Sequence, residues 1–172
     1  VSALAILGPL LHLTFDGLNN YGVHPFWPFW NGWIFGDTLF IIEPLLWVAM
    51  FPVVYFSTKR RSVRWFGETT MVALFTAMWI LPITRWYTVA GLALLSILLW
   101  VTTRKSKPKW RADVCGALAV AIVGMFAACS IYARREVRRQ NAELHPSAVL
   151  HDVVLTPYPA NPFCWNVLTV ET

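Results

Sequence analysis

Ala112 to Ala133 is an apolar run of about 22 residues broken by a single charge, Asp113. At 1.5 Å per residue, a helix of that length covers the ~30 Å hydrocarbon core of a bilayer. Backbone polar groups in lipid must be satisfied within the segment, so a run like this can enter a membrane only as helix. Four further apolar runs come before it: Val1–Phe15, Thr38–Phe56, Gly67–Leu81 and Trp86–Val101. The pattern predicts an all-α multi-pass membrane protein with about five membrane helices and a short irregular C-terminal tail. The predicted helical membrane domain covers residues 1–140, and an extramembrane tail covers 141–172. Composition agrees, with 57% hydrophobic residues and 13% charged, against about 25% charged in soluble domains.

The charges punctuate these runs. Lys59, Arg60, Arg61 and Arg64 follow the second run, and Arg104, Lys105, Lys107, Lys109 and Arg111 follow the fourth. Basic loops stay cytoplasmic. With two crossings between them, both loops are expected on the cytoplasmic side of a bacterial inner membrane. The 17–37 loop and the tail are then periplasmic. Arg134, Arg135, Arg138 and Arg139 run against this assignment. The net charge of +5 thus follows membrane topology, and no nucleic-acid partner is expected; the partners implied are membrane lipids. The 10 Trp and 11 Phe suit the headgroup layer, and the 17–37 loop, with Trp27, Trp30 and Trp33, is expected to lie on it. Cys115 and Cys129 lie far apart on one predicted helix, so the three cysteines form no disulfide framework and read as small apolar fillers.

Chemistry concentrates at the end of the first run. His12 and Asp16 are four apart, on one helical face, so they can reach one metal ion or each other. Gly17, Asn19, Asn20 and Gly22 then stop the helix. Asp37 opens the second run, either as a third ligand or as an N-cap, and Glu43 lies inside it beside Pro44, where a kink is expected. Glu43 reads as a group that orients His12, as a catalytic base, or as a buried neutral acid. Asn19, Asn20 and Tyr21 are candidates to orient a substrate, or simple turn formers. His24 is a possible ligand or a plain loop histidine. No Gly-rich phosphate loop, Cys-x-x-Cys pair or Gly-x-Ser-x-Gly elbow is present, which leaves serine catalysis without support.

His12, Asp16, Asn19, Tyr21 and Gly22, followed by Pro28, Phe29, Asp37, Phe40, Ile41, Glu43, Pro44, Leu45 and Trp47, resemble the bacterial family of membrane-bound, metal-dependent hydrolases. That family is also described as LexA-binding, inner-membrane-associated hydrolases. Pro159, Asn161, Pro162 and Trp165 are similar to its C-terminal motif. The resemblance implies metal-assisted hydrolysis by His12, Asp16 and Asp37, with zinc or a similar divalent ion as cofactor and Glu43 as the catalytic carboxylate. A more distant likeness to zinc-dependent phospholipases implies a small or lipid-linked phosphoester as substrate. Relatives carry further Asp and His motifs upstream, so the chain, which opens at Val1 inside an apolar run, is expected to lack an N-terminal part.

Beyond Ala133 the sequence predicts a polar continuation of the fifth helix over 134–145. A strand is conceivable at Val149–Leu155, and the proline-rich 156–162 stretch predicts no regular structure.

Overall fold

In the computed structural model, residues 2–82 and 84–172 are described, with α1 side chains from Ala5 onward. Val1, where the first run opens, and Ile83, in the expected 82–85 turn, lie outside the described residues. The elements are α1 (Ser2–Asp16), α2 (Pro44–Ser57), α3 (Arg61–Ile80), α4 (Trp86–Thr103), α5 (Pro108–Leu144), β1 (Leu150–Tyr158) and β2 (Asn161–Glu171).

This corrects the all-α, five-span expectation in two ways. Among the described residues, only α4 and α5 are both long and apolar enough to cross a membrane. The described α1 and α2 have 15 and 14 residues, short of the ~20 that a crossing needs. At 20 residues α3 is long enough, but Arg61, Arg64 and Glu68 lower its hydropathy. The second correction is the tail, which folds into a two-stranded antiparallel sheet, β1–β2. The expected strand is there but longer, and it takes in the prolines. In a two-stranded sheet both strands are edges, so Pro157 and Pro162 each have an open side on which no N–H is needed. Val153, Leu155 and Pro157 are buried in alternation along β1, the period-2 signature of a one-faced strand. The turn is Pro159–Ala160, with Ala160 at φ 54°.

The chain divides into two compact units. One comprises residues 42–125 with the hairpin turn, 158–161. Here α2 packs on α3 and α4 around buried Val48, Met78, Leu92 and Leu99, flanked by Leu45, Met71, Phe75, Val89 and Leu118. At the α4–α5 loop, Arg111 donates through Nε to the Thr103 carbonyl (3.2 Å) and through a terminal nitrogen to that of Ser106 (3.0 Å). Its guanidinium sits 4.7 Å from the Phe56 ring centre. The second helix starts six residues later than the sequence suggests. Pro44 is its first residue, where a missing N–H costs nothing, so no kink arises there. Glu43, not Asp37, is the cap and accepts from the Leu45 N–H at 3.1 Å.

The other unit holds α1, the 17–41 segment, α5 from Phe126 onward, and most of the hairpin. Its α5 portion runs to Leu144, as the polar continuation predicts. The 17–37 loop is pinned at its base. Gly36 and Asp37 N–H donate to the Asn19 carbonyl (3.2 and 3.3 Å), and Thr38 and Leu39 N–H to that of Leu18 (2.8 and 2.9 Å). Gly36 makes this approach possible: a Cβ there would lie 2.3 Å from the Gly17 carbonyl oxygen. Farther out, Val23 and Ile34 form an isolated antiparallel bridge. The rings of Phe26, Trp27, Phe29, Trp30 and Trp33 beyond it are exposed.

Candidate functional site

His12 and Asp16 sit in the last turns of α1, where helical spacing stacks one above the other. Their Nε2 and Oδ2 atoms are 3.2 Å apart, and their side chains are 78% and 42% exposed. Among the described residues no other side chain pairs with either group, so they offer an imidazole and a carboxylate side by side.

Asp37 sits in a different setting within the same unit. Its side chain is 5% exposed, and its Oδ2 accepts from an Arg134 terminal nitrogen at 2.5 Å. The same guanidinium donates to the Val153 carbonyl on β1 at 2.8 Å. Ser130, one turn earlier on α5, donates to the Asp37 backbone carbonyl at 2.8 Å. Asp37 itself has φ 46°, a left-handed conformation that aspartate tolerates better than most residues. Its other oxygen, Oδ1, is buried without a hydrogen-bond partner. Arg134 thus ties the loop, α5 and β1 together through one side chain. Position alone could not reveal this partner. The only sequence signal was the placement of four arginines where the charge rule expects few.

The structure brings His12 and Asp16 together but gives Asp37 to Arg134. Among the described residues, no group of three or more His, Cys, Asp or Glu is gathered closely enough to hold an ion. The donor chemistry of His12 and Asp16 suits zinc, but two donors are fewer than the three or four of a zinc site. Asn19 is buried, and its side chain accepts from the Tyr21 N–H at 2.8 Å, a turn-forming contact. Asn20 donates to the Thr156 hydroxyl on β1 at 2.7 Å. Tyr21 is exposed. His24 stacks on Trp33 (ring centres 4.9 Å apart, 13° between planes), and its Nε2 is buried without a partner.

Glu43 belongs to the unit built around α2–α4. It is 3% exposed and accepts from the Ala160 N–H at the hairpin turn (3.1 Å) as well as from Leu45. Burial pushes its carboxyl up to about 7, against the smaller opposing pull of those two backbone N–H groups.

One cavity in the unit of α1 and the hairpin stands out, at about 450 Å³. Phe35, Thr38, Ala127, Ser130 and Ile131 line it together with Arg134, Arg135 and Arg138.

Neither the curated proteins nor the solved structures include a match to this chain. A family model described as YdjM inner membrane protein matches residues 1–88, a span that contains His12, Asp16, Asn19, Tyr21, Asp37 and Glu43 and stops before the arginines of α5. That match covers just over half of the 172 residues, and the chain belongs to the YdjM inner membrane protein family.

Proposed function

We propose that this membrane protein contributes to metal-dependent hydrolysis of a phosphoester or lipid-linked substrate, with His12 and Asp16 as two ligands of a divalent ion, zinc or similar. The observation that carries the reading is the exposed His12–Asp16 pair, 3.2 Å apart, at a helix end. A bound zinc ion would lower the pKa of its water toward neutrality. The residues themselves supply the rest. Asp37 has one free carboxylate oxygen to offer as a further ligand. Glu43, with a carboxyl poised at about 7, has the proton affinity that a general acid–base needs at physiological pH. Tyr21 is exposed and available to orient a substrate, whereas Asn19 and Asn20 hold the loop that presents it.

The second reading is a non-enzymatic membrane protein whose polar residues fix its fold. Its support is the Asp37–Arg134 pair, which occupies one of the proposed ligands. Elemental analysis of the purified, zinc-loaded full-length protein, run beside hydrolysis of bis(p-nitrophenyl) phosphate, separates the two. On the hydrolase reading, H12A and D16A each deplete the metal, and E43Q retains most of it but hydrolyses more slowly. Equal metal content in wild type and H12A discards the ligand assignment.

The basic α4–α5 loop, 104–111, is proposed to be cytoplasmic, which puts the polar end of α5 on the periplasmic side. Labelling of S106C in intact cells by an impermeant thiol reagent would refute that orientation.

A further inference from the structure

We propose that the cavity at the polar end of α5 binds the phosphate of an anionic phospholipid headgroup. This goes beyond the metal-site reading and does not depend on it, because none of the proposed ligands lines the cavity.

The four arginines of this stretch are not equivalent. Arg139 is neutralised on its own helix, where it donates to Glu136 (2.6 and 3.0 Å) and Glu143 (3.0 Å). Arg134 is neutralised by Asp37. Arg135 and Arg138 line the cavity and have no hydrogen bond or ion pair among the described residues. Two unneutralised guanidinium groups therefore face one concave space, with Arg134 held beside them. Guanidinium forks match phosphate oxygens two at a time. The surrounding carboxylates do not offset the two free charges, since Asp37 is already committed to Arg134.

The rest of the lining favours a lipid over a free ion. The apolar run ends at Ala133, so Arg134 is the first residue beyond it and Arg138 lies about 6 Å further along the helix axis. That is the depth of the headgroup layer, which extends roughly 5–7 Å beyond the hydrocarbon on each side. Ala127 and Ile131 precede the arginines on α5 and so lie on their hydrocarbon side, and Phe35 adds an apolar ring to the lining. The cavity thus runs from acyl-chain depth to phosphate depth, and 450 Å³ is within the range that encloses small ligands. A soluble phosphate uses only the basic end, whereas a phospholipid uses both.

The test is titration calorimetry on the purified full chain in dodecyl maltoside, with dioctanoyl phosphatidylglycerol, dioctanoyl phosphatidylcholine and inorganic phosphate as separate probes. The expected result is binding of the glycerol lipid at least ~tenfold tighter than the choline lipid, with a loss of at least ~tenfold in R135Q/R138Q. R139Q should match wild type, because that side chain is already paired. Both altered arginines are exposed, and far-UV circular dichroism checks that helix content is unchanged. R135K/R138K keeps the charge without the fork and should fall between. Inorganic phosphate binding as tightly as the glycerol lipid would overturn the lipid source. Unchanged lipid affinity in R135Q/R138Q would overturn the site, and equal affinity for the two lipids, which share the phosphate, would overturn the preference for an anionic headgroup.

Discussion

His12–Asp16 and Asp37–Arg134 are both carboxylate–base pairs in one unit of the molecule, and they differ in almost every physical respect. The first is formed by residues four apart on a single helix and is open to water. The second joins residues 97 apart in sequence, with its carboxylate at 5% exposure. Exposed pairs gain little, because water screens the attraction and the side chains lose freedom. Buried pairs gain little over an apolar replacement but lose heavily when one partner is removed. The exposed pair is therefore free for chemistry at small structural cost, and the buried one is part of the architecture. Glu43 is a third case: a buried carboxylate that accepts from the backbone N–H groups of Leu45 and Ala160.

Removing Arg134 should have the largest effect. R134A leaves Asp37 buried with neither oxygen bonded and frees the Val153 carbonyl, and a loss of about 3–5 kcal/mol is expected. Denaturant unfolding of the purified protein in mixed micelles, as a double-mutant cycle with D37A, measures the coupling. Additive effects of the two changes would show that the pair does not hold the loop to α5.

The Glu43 comparison is read through pH. Its folded-state value of about 7 exceeds the unfolded value of 4.5, so the folded protein binds the proton more tightly. Its contribution is complete below pH 4.5 and is lost as pH rises from 4.5 to about 7, by up to about 3 kcal/mol. E43Q keeps an acceptor for the Leu45 and Ala160 N–H groups but cannot ionise, so its unfolding midpoint should fall less between pH 5 and 8 than that of wild type. Parallel pH profiles would reject Glu43 as the titrating group.

Gly36 sharpens the same contrast from the backbone side, since it lets the segment carrying Asp37 lie against Gly17. G36A places a Cβ 2.3 Å from the Gly17 carbonyl oxygen and should cost about 1–3 kcal/mol. G91A meets nothing within 4 Å in α4 and should be neutral or stabilising by up to about 1 kcal/mol. Equal midpoints for the two variants would mean that the loop base gives way freely.

What was legible in the sequence follows the same division between local and distant. Apolar runs marked each of the helices described, though not which of them cross a membrane, and helical spacing gave the stacking of His12 on Asp16. The start of α2 was misplaced because aspartate is the better N-cap by residue type, and only Pro44, suited to the first helical position, points to Glu43 instead. The hairpin was half visible. Val153 and Leu155 alternate as a strand should, but prolines at 157 and 162 argue against strand until it is known that both strands are edges. Arg134 as the partner of Asp37 had no local signature, since a contact made by folding over 97 residues leaves no period to read.

The smallest structural effect is expected at His12, and it bears most directly on function. H12A removes an exposed i,i+4 contact, so in the absence of metal the unfolding midpoint should shift by no more than about 0.5 kcal/mol. Zinc should separate the variants. A ligand that binds only the folded state stabilises it by about 2.7 kcal/mol at a hundredfold excess over Kd, so titrating zinc should raise the wild-type midpoint and leave H12A nearly unmoved. D16A should behave like H12A, because each change removes one of the two donors at the end of α1. A zinc response equal in wild type and both variants would move the ion elsewhere and leave the exposed pair as surface chemistry. A large loss of stability in H12A without zinc would instead make the pair structural, and the contrast with Asp37–Arg134 would collapse.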